Sequence, residues 1–380
     1  MTAVGTPVAG AQWRGPDGSG LRADTAYTLT DEVRRWPVVE GIPWLRPGRD
    51  GLREAAVAAL DAGDPRGAAV LLLADADDWW DGDPPPPHRL RAAWAAETLT
   101  EAVDLLGLGR VGAYFRHRWS DPSWLAALAL TAAHPPAGRE VVDLACGAGH
   151  LLRHLALHGH TDLTGVDVVF AKLWLARRFV LPAGAPVALA CADLTAGWPL
   201  PPSPAPRHVA CHDALYFLAD KAAFVAAAAA AAGPRGAVLL GHLHNAAHPA
   251  GRAGLPLSAH EWTALLPGAQ AYAEEELTAA TAEGRLPVPA TGAALAATEA
   301  LGLACDRAAA PADPALLLPA AGVPVRRNPL YADGDRTWPD ERWAAEYGRR
   351  ASAYLPPRWP DPPGPDAVRR RLLLDLPERW

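Results

Sequence analysis

The stretch VVDLACGAGH, Val141–His150, ends an apolar run in an acid and follows it with two glycines one residue apart. β-branched residues closing on an acid read as a buried strand and its carboxyl end. Glycines placed directly after it let the backbone turn tightly and approach a ligand closely. From Gly147 the frame reads GAGHLL, so Leu152 stands where a dinucleotide fingerprint needs its third glycine. A phosphate loop would need a Gly-Lys-Ser/Thr ending, and none follows.

Outward from this turn the chain alternates. Glu140–Asp143 reads as a strand, with a helix over 149–158 and a second strand at Leu163–Asp167. Phe170, Leu173 and Trp174 mark one face of the next helix. Val187–Asp193 and His208–His212 follow as strands, then the helix Lys221–Ala232 stopped by Gly233-Pro234, then the strand Gly236–His242. This beat predicts an α/β, doubly wound, parallel sheet whose ligands sit at the carboxyl ends of its strands. Asp143, Asp167 and Asp193 stand at three successive strand ends. A ligand carrying an ammonium, a ribose and an adenine would use all three, through charge-assisted hydrogen bonds. A pyrophosphate would be poorly served by Asp143.

The motif VVDLACGAGH resembles the first motif of class I S-adenosylmethionine-dependent methyltransferases, and the later elements arrive in that family's order. Asp167, 24 residues after Asp143, matches the acidic end of the second strand; CADL (Cys191–Leu194) matches the adenine-contacting segment; CHDALYFL (Cys211–Leu218) matches the fourth-strand motif beside the methyl group. Ala145 stands where many members carry glycine. The resemblance covers roughly residues 114–245. It implies a Rossmann-like, mostly parallel seven-stranded sheet, with helical N-terminal and irregular C-terminal additions. It also implies S-adenosylmethionine as cofactor, held by Asp143, Ala145, Cys146, Gly147, Gly149, Asp167, Val168, Ala192, Asp193, Leu194 and His212. Tyr114 and Arg118, in YFRHRW, would belong to a helix closing over it. WPVVEGIPWL (Trp36–Leu45) is similar to the core of zinc-ribbon-like segments that accompany some methyltransferases, but no cysteine precedes Cys146, so a shape is expected there and no metal.

Methyl transfer from a sulfonium requires alignment, and removal of a proton when the acceptor is a hydroxyl or ammonium. Histidine suits that step near neutral pH. His212, His242 and His244 lie at the ends of the fourth and fifth strands and are the catalytic candidates. His242 and His244, two apart, share a face in extended geometry. They lack a visible third ligand, so no metal is expected. Asp213, Tyr216 and Asn245 are candidates for the acceptor pocket. Each has a structural alternative: a pocket wall for His212, a helix face for Tyr114 and Arg118. Packing is the simpler reading for Trp79-Trp80 and for the tail stripe Trp343, Tyr347, Ala351 and Tyr354. Asn328-Pro329-Leu330-Tyr331 is similar to a base-methylating motif but has leucine for its second proline and lies beyond the fifth strand.

Composition limits the partners. The chain has 380 residues, net charge −7 and lysine only at Lys172 and Lys221, which disfavours capture of nucleic acid or anionic membrane. No apolar run is long enough to span a bilayer, and the N-terminus has no secretory pattern. Four scattered cysteines suit a reducing cytoplasm. Three parts are expected: an accessory segment 1–88 with a proline-rich linker, a catalytic core 89–250, and a capping and tail region 251–380. The expected activity is methyl transfer to an oxygen or nitrogen of a small molecule. The alternatives are a catalytically silent cofactor-binding scaffold of the same fold and, weakened by Leu152, a nicotinamide-dependent oxidoreductase. Oligomeric state is left open.

Overall fold

The computed structural model describes residues 13–76, 83–248 and 254–380. A small antiparallel sheet opens the chain: β1 (Arg22–Thr25), β2 (Thr28–Thr30), β3 (Arg35–Val39) and β4 (Ile42–Pro43), in that order. Two of these strands fall where the sequence shows no periodicity, because they are short and β1 is exposed throughout. The β3–β4 hairpin turns on Glu40 and Gly41, both with positive φ, the two-residue loop whose twist matches its strands. Four helices follow, α1 (Asp50–Asp61), α2 (Pro65–Leu73), α3 (Pro87–Ala95) and α4 (Leu99–Leu106). Asp64 caps α2 by accepting the Gly67 N–H at 2.7 Å. The proline run ends inside a helix: Pro87 takes the first position of α3, where its missing N–H costs nothing. Trp79-Trp80 lie outside the described residues.

After α5 (Gly112–His117) and α6 (Pro122–Ala133) comes the main sheet. Its strands are β5 (Glu140–Leu144), β6 (Leu163–Asp167), β7 (Val187–Cys191), β8 (Arg207–His212), β9 (Ala237–His244), β10 (Gln270–Ala273) and β11 (Ala300–Asp306). They lie in the order β10-β11-β9-β8-β5-β6-β7. The five central strands are parallel; β11 runs antiparallel to β9, and β10 antiparallel to β11. This is the Rossmann-like class I methyltransferase topology. The order reverses between β5 and β8, so a crevice opens at their carboxyl ends. Helices α7 (His150–Leu157), α8 (Phe170–Leu175), α9 (Lys221–Ala232), α10 (Ala259–Leu265) and α11 (Glu274–Glu283) complete the layers.

Alternation along the strands feeds two cores. Val141 joins one apolar cluster, and Val142 and Leu144 the other, on the opposite face. Phe170, Leu173 and Trp174 are all fully buried, as their spacing predicts. Leu152, the residue that breaks the dinucleotide pattern, packs so closely on Gly165 of β6 that a Cβ there would meet it at 2.5 Å.

VPVRRNPLY (323–331) contributes only the two-residue pairing Arg326–Arg327 with Leu373–Leu374, in a separate ribbon. The seventh strand is β11, inside the alanine-rich stretch, whose weak β-propensity conceals it. The tail stripe does pack: Trp343, Tyr347, Ala351 and Tyr354 are each 3% exposed or less. At the other edge the N-terminal sheet abuts β7, with the Leu45 N–H bonded to Cys191 O at 2.7 Å. No helix among the described residues is long and apolar enough to cross a membrane.

Candidate active site

β5 delivers Asp143 and then a turn with three left-handed residues, Ala145 (φ 53), Gly147 (φ 55) and Gly149 (φ 75). Gly149 is the N-cap residue of α7, and a Cβ on it would meet Ala176 at 3.2 Å. His150 begins the helix with its ring 4.4 Å from Trp119, a packing role. Asp143 is 4% exposed. Burial, with Asp167 nearby, pushes its carboxyl up to about 8. A carboxyl so placed suits a cationic partner such as a donor ammonium.

Asp167 is tied into the turn. Its two oxygens accept the Gly147 and Val169 N–H groups, each at 2.9 Å, and Lys172 stands at 3.5 Å. It therefore fixes the glycine turn against the second strand. Cys146 is buried beside it, with its thiol pushed well up by burial. Val168 is half-buried next to Asp167, and Ala192 is buried. Asp193 and Leu194 are partly exposed past β7. The Asp193 carboxylate accepts the N–H and hydroxyl of Thr195, at 2.8 and 2.6 Å. The N-terminal segment covers this loop, so that a Cβ on Gly197 would strike Pro16 O at 2.3 Å.

His212 ends β8. Its ring lies against Gly241, where any Cβ would approach Nδ1 to 2.1 Å, which explains the glycine. Neither ring nitrogen has a hydrogen-bond partner among the described residues. Burial, reinforced by Arg118, drops its pKa to about 3, so it is neutral. Two buried nitrogens left unbonded call for an explanation, and at a strand end a ligand can supply it.

Beyond it lies a network that the sequence discloses only in part. Arg118, 4% exposed, pairs with Asp121 at 2.9 Å and Asp213 at 3.3 Å, bonds the Ser123 hydroxyl, and lies 4.9 Å over the Tyr114 ring. Asp213 has positive φ (61°) and accepts from the Tyr216 hydroxyl at 2.6 Å. His242, also at positive φ (55°), sits at a register shift opposite Leu301/Leu303. Its Nδ1 lies 2.6 Å from Glu274, whose other oxygen pairs with Arg350. Its Nε2 lies 3.0 Å from Nε2 of His244 and 3.5 Å from Asp213. The His244 ring stacks on Tyr216 at 3.9 Å and 9°. Burial opposes charge on His242, but Glu274 and Asp213 outweigh it and raise its pKa.

Two non-glycine residues in the left-handed region, side by side at adjacent strand ends, are the kind of local strain that collects at functional sites. Glu274, Asp121 and Arg350 are absent from the sequence reading. Glu274 is one of three successive acids opening α11, and only its burial separates it from Glu275 and Glu276. Asn245 moves the other way. Its amide donates to Ala296 O and Thr298 O, and its oxygen accepts the Ala247 N–H, so it ties the end of β9 to the 296–298 loop instead of lining a pocket. Asn328 likewise donates to Ser120 and to Arg371 O, a structural corner and not a base-binding motif.

Residues 141–236 match the family model described as a methyltransferase domain. No curated protein matches the chain. Among solved structures, it is similar to a putative methyltransferase in complex with the Trm112 activator from Haloferax volcanii, at 21% identity over 40% of this chain and 70% of that one, TM-score 0.35. It is also similar to an S-adenosylmethionine-dependent methyltransferase from Mesorhizobium loti, at 26% identity over 33% and 55%, TM-score 0.29. A third is CalS10, an amino pentose methyltransferase from Micromonospora echinaspora, at 30% identity over 35% and 56%, TM-score 0.27. The family match spans the glycine turn, the acid of β6 and the end of β8, in the strand order described above. Residues 141–236 thus carry a methyltransferase domain, set in a sheet of the Rossmann-like class I methyltransferase fold.

Proposed function

We propose that the protein transfers a methyl group to an oxygen or nitrogen of a small-molecule acceptor at the carboxyl ends of β8 and β9. The observation that carries this reading is the pairing of a donor half with a proton-handling half. Asp143 and the left-handed turn lie at the end of β5, and a buried histidine–carboxylate cluster stands at the end of β9. When bound, S-adenosylmethionine supplies an electrophilic methyl on a good leaving group. Asp143 holds the donor's ammonium, the turn's backbone lies against its chain, and Asp167 keeps that turn in place. His212, neutral and without a hydrogen-bond partner among the described residues, borders the transferred methyl. Asp213 and Tyr216 wall the acceptor side, and His242 and His244 receive its proton.

Access supports the same placement. A shallow surface depression is lined by Ala113 and Tyr114 of α5 and by Asp340, Arg342, Trp343, Glu346 and Tyr347 of the tail. The acceptor enters between the helix before the core and the C-terminal tail, which makes the flanks the selectivity elements. Isothermal calorimetry with S-adenosylhomocysteine tests the donor half, and transfer of labelled methyl into a metabolite extract tests the acceptor half. A folded protein that binds no S-adenosylhomocysteine would sink the whole reading. Binding without transfer to any acceptor would leave the silent scaffold.

A further inference from the structure

The tail brings a third ligating group to the two histidines. A helical segment runs through Glu341–Trp343, a π turn at Ala344–Gly348 and Arg349–Ala351, and Glu346 lies in the π turn. One ligating atom each from His242, His244 and Glu346 lies within 4.8 Å of the others. The two Nε2 atoms are 3.0 Å apart. Two nitrogens bound to one tetrahedral Zn²⁺ at ~2.0–2.1 Å would stand ~3.3 Å apart, so the rings need almost no movement to share an ion.

We propose that His242 Nε2, His244 Nε2 and the Glu346 carboxylate hold a divalent transition-metal ion of the zinc class, and that this ion binds and acidifies a hydroxyl of the acceptor.

Three features beyond the cluster itself support the assignment. Glu274 Oε2 lies 2.6 Å from Nδ1 of His242, the carboxylate–histidine arrangement that fixes a metal-binding tautomer and leaves Nε2 for the ion. Both histidines are 3% exposed, so two imidazoles converge where water cannot keep them apart. π turns are rare and frequent at functional sites, and this one places Glu346. The ligand chemistry also selects the ion. Two imidazoles and one carboxylate favour a transition metal over Mg²⁺ or Ca²⁺.

Three protein ligands leave a fourth position open, as in catalytic sites. Glu346 also lines the surface depression between α5 and the tail, the side from which the acceptor would come. This deepens the methyl-transfer reading and rests on it. It selects an oxygen nucleophile: coordination lowers the hydroxyl's pKa, and with both Nε2 atoms on the ion the proton leaves to solvent and not to the histidines. The oxygen then bonds the methyl carbon as the carbon–sulfur bond breaks, and the sulfur departs as a neutral thioether.

The test uses the full chain purified without chelator. Elemental analysis is expected to find about one zinc-class ion per chain; after chelation, added Co²⁺ should restore a stoichiometric site with visible absorption bands. Glu346→Gln, on a half-buried side chain, should weaken Co²⁺ binding tenfold or more at unchanged melting temperature, and His244→Ala should abolish it. His260→Ala, an exposed control, should leave it unchanged. A folded chain with no bound ion and no Co²⁺ bands at equimolar metal overturns the proposal, as does a Glu346→Gln variant of full affinity. S-adenosylhomocysteine binding measured alongside separates the two readings. Donor binding without metal binding removes only the ion, and metal binding without donor binding removes only the methyl-transfer site.

Discussion

Glu274 and His242 meet at 2.6 Å, Oε2 to Nδ1, both almost fully buried, across 32 residues of sequence. Glu274 is thereby shared between an imidazole of β9 and the guanidinium of Arg350 from the tail. That one carboxylate joins the sheet, the first turn of α11 and the C-terminal helical segment.

Removing its charge should be costly. In Glu274→Gln the Arg350 guanidinium stays buried with only Glu299, 3.9 Å away, as counter-ion, and breaking a buried pair from one side costs up to about 3–5 kcal/mol. Denaturant unfolding should show a marked fall in midpoint. A shift of a few tenths would mean that the pair is solvated and not structural.

The same pair sets a pH dependence. His242 has a raised pKa in the folded state, through Glu274 and Asp213 against the effect of burial. Its contribution to stability is therefore complete below the ordinary histidine value of about 6.5 and disappears as pH rises through the raised value. Glu274 is held low despite burial, by His242 and Arg350, so its contribution is present above the usual carboxylate range and lost in acid. In the metal-free chain, unfolding midpoints should fall on the alkaline side of neutrality, and His242→Gln should flatten that slope. An unchanged slope would assign the titration elsewhere.

Asp143 should couple donor binding to proton release. Its carboxyl, pushed up to about 8 by burial and Asp167, is protonated at neutral pH and must ionise to hold an ammonium. Calorimetry of S-adenosylhomocysteine binding at pH 7, in buffers of different ionisation enthalpy, should show protons released, and affinity should rise toward pH 8. Asp143→Asn should abolish the release and weaken binding. Buffer-independent heats would contradict the assignment.

Asp167 and Gly149 should prove structural as well as functional. Asp167→Ala leaves the N–H groups of Gly147 and Val169 without their acceptor, at about 1–3 kcal/mol for each buried group unsatisfied. Donor affinity and melting temperature should fall together, whereas a ribose ligand alone would lose only affinity. Gly149→Ala forces a Cβ into φ 75 and to 3.2 Å from Ala176, a strain of about 1–2 kcal/mol. A Gly149→Ala variant as stable as the parent would mean that the turn relaxes.

Much of the fold was legible because its evidence is local. Strand–helix alternation from Glu140 to His242 rests on residue pattern, and a parallel sheet with its ligand at the strand ends follows from that pattern. The β1–β2 pair and β11 were not legible, because short exposed strands and alanine-rich ones carry little periodicity. In the site, Asp143, Asp167 and His212 could be named from their place at strand ends. Glu274, Asp121, Arg350 and Glu346 could not, since nothing local separates them from surface charges.

Sequence alone determined the donor half, because one motif supplies a strand end, an acid and a turn whose geometry depends on neighbouring residues. Only the tertiary structure decided the acceptor half. The side chains around His242 come from 29 to 137 positions away in the chain, Asp213 to Arg350, and burial makes them partners. An acid at a helix start and an acid in a tail stripe look alike in sequence. Folding gave one to the His242 ring, and set the other within reach of both histidines.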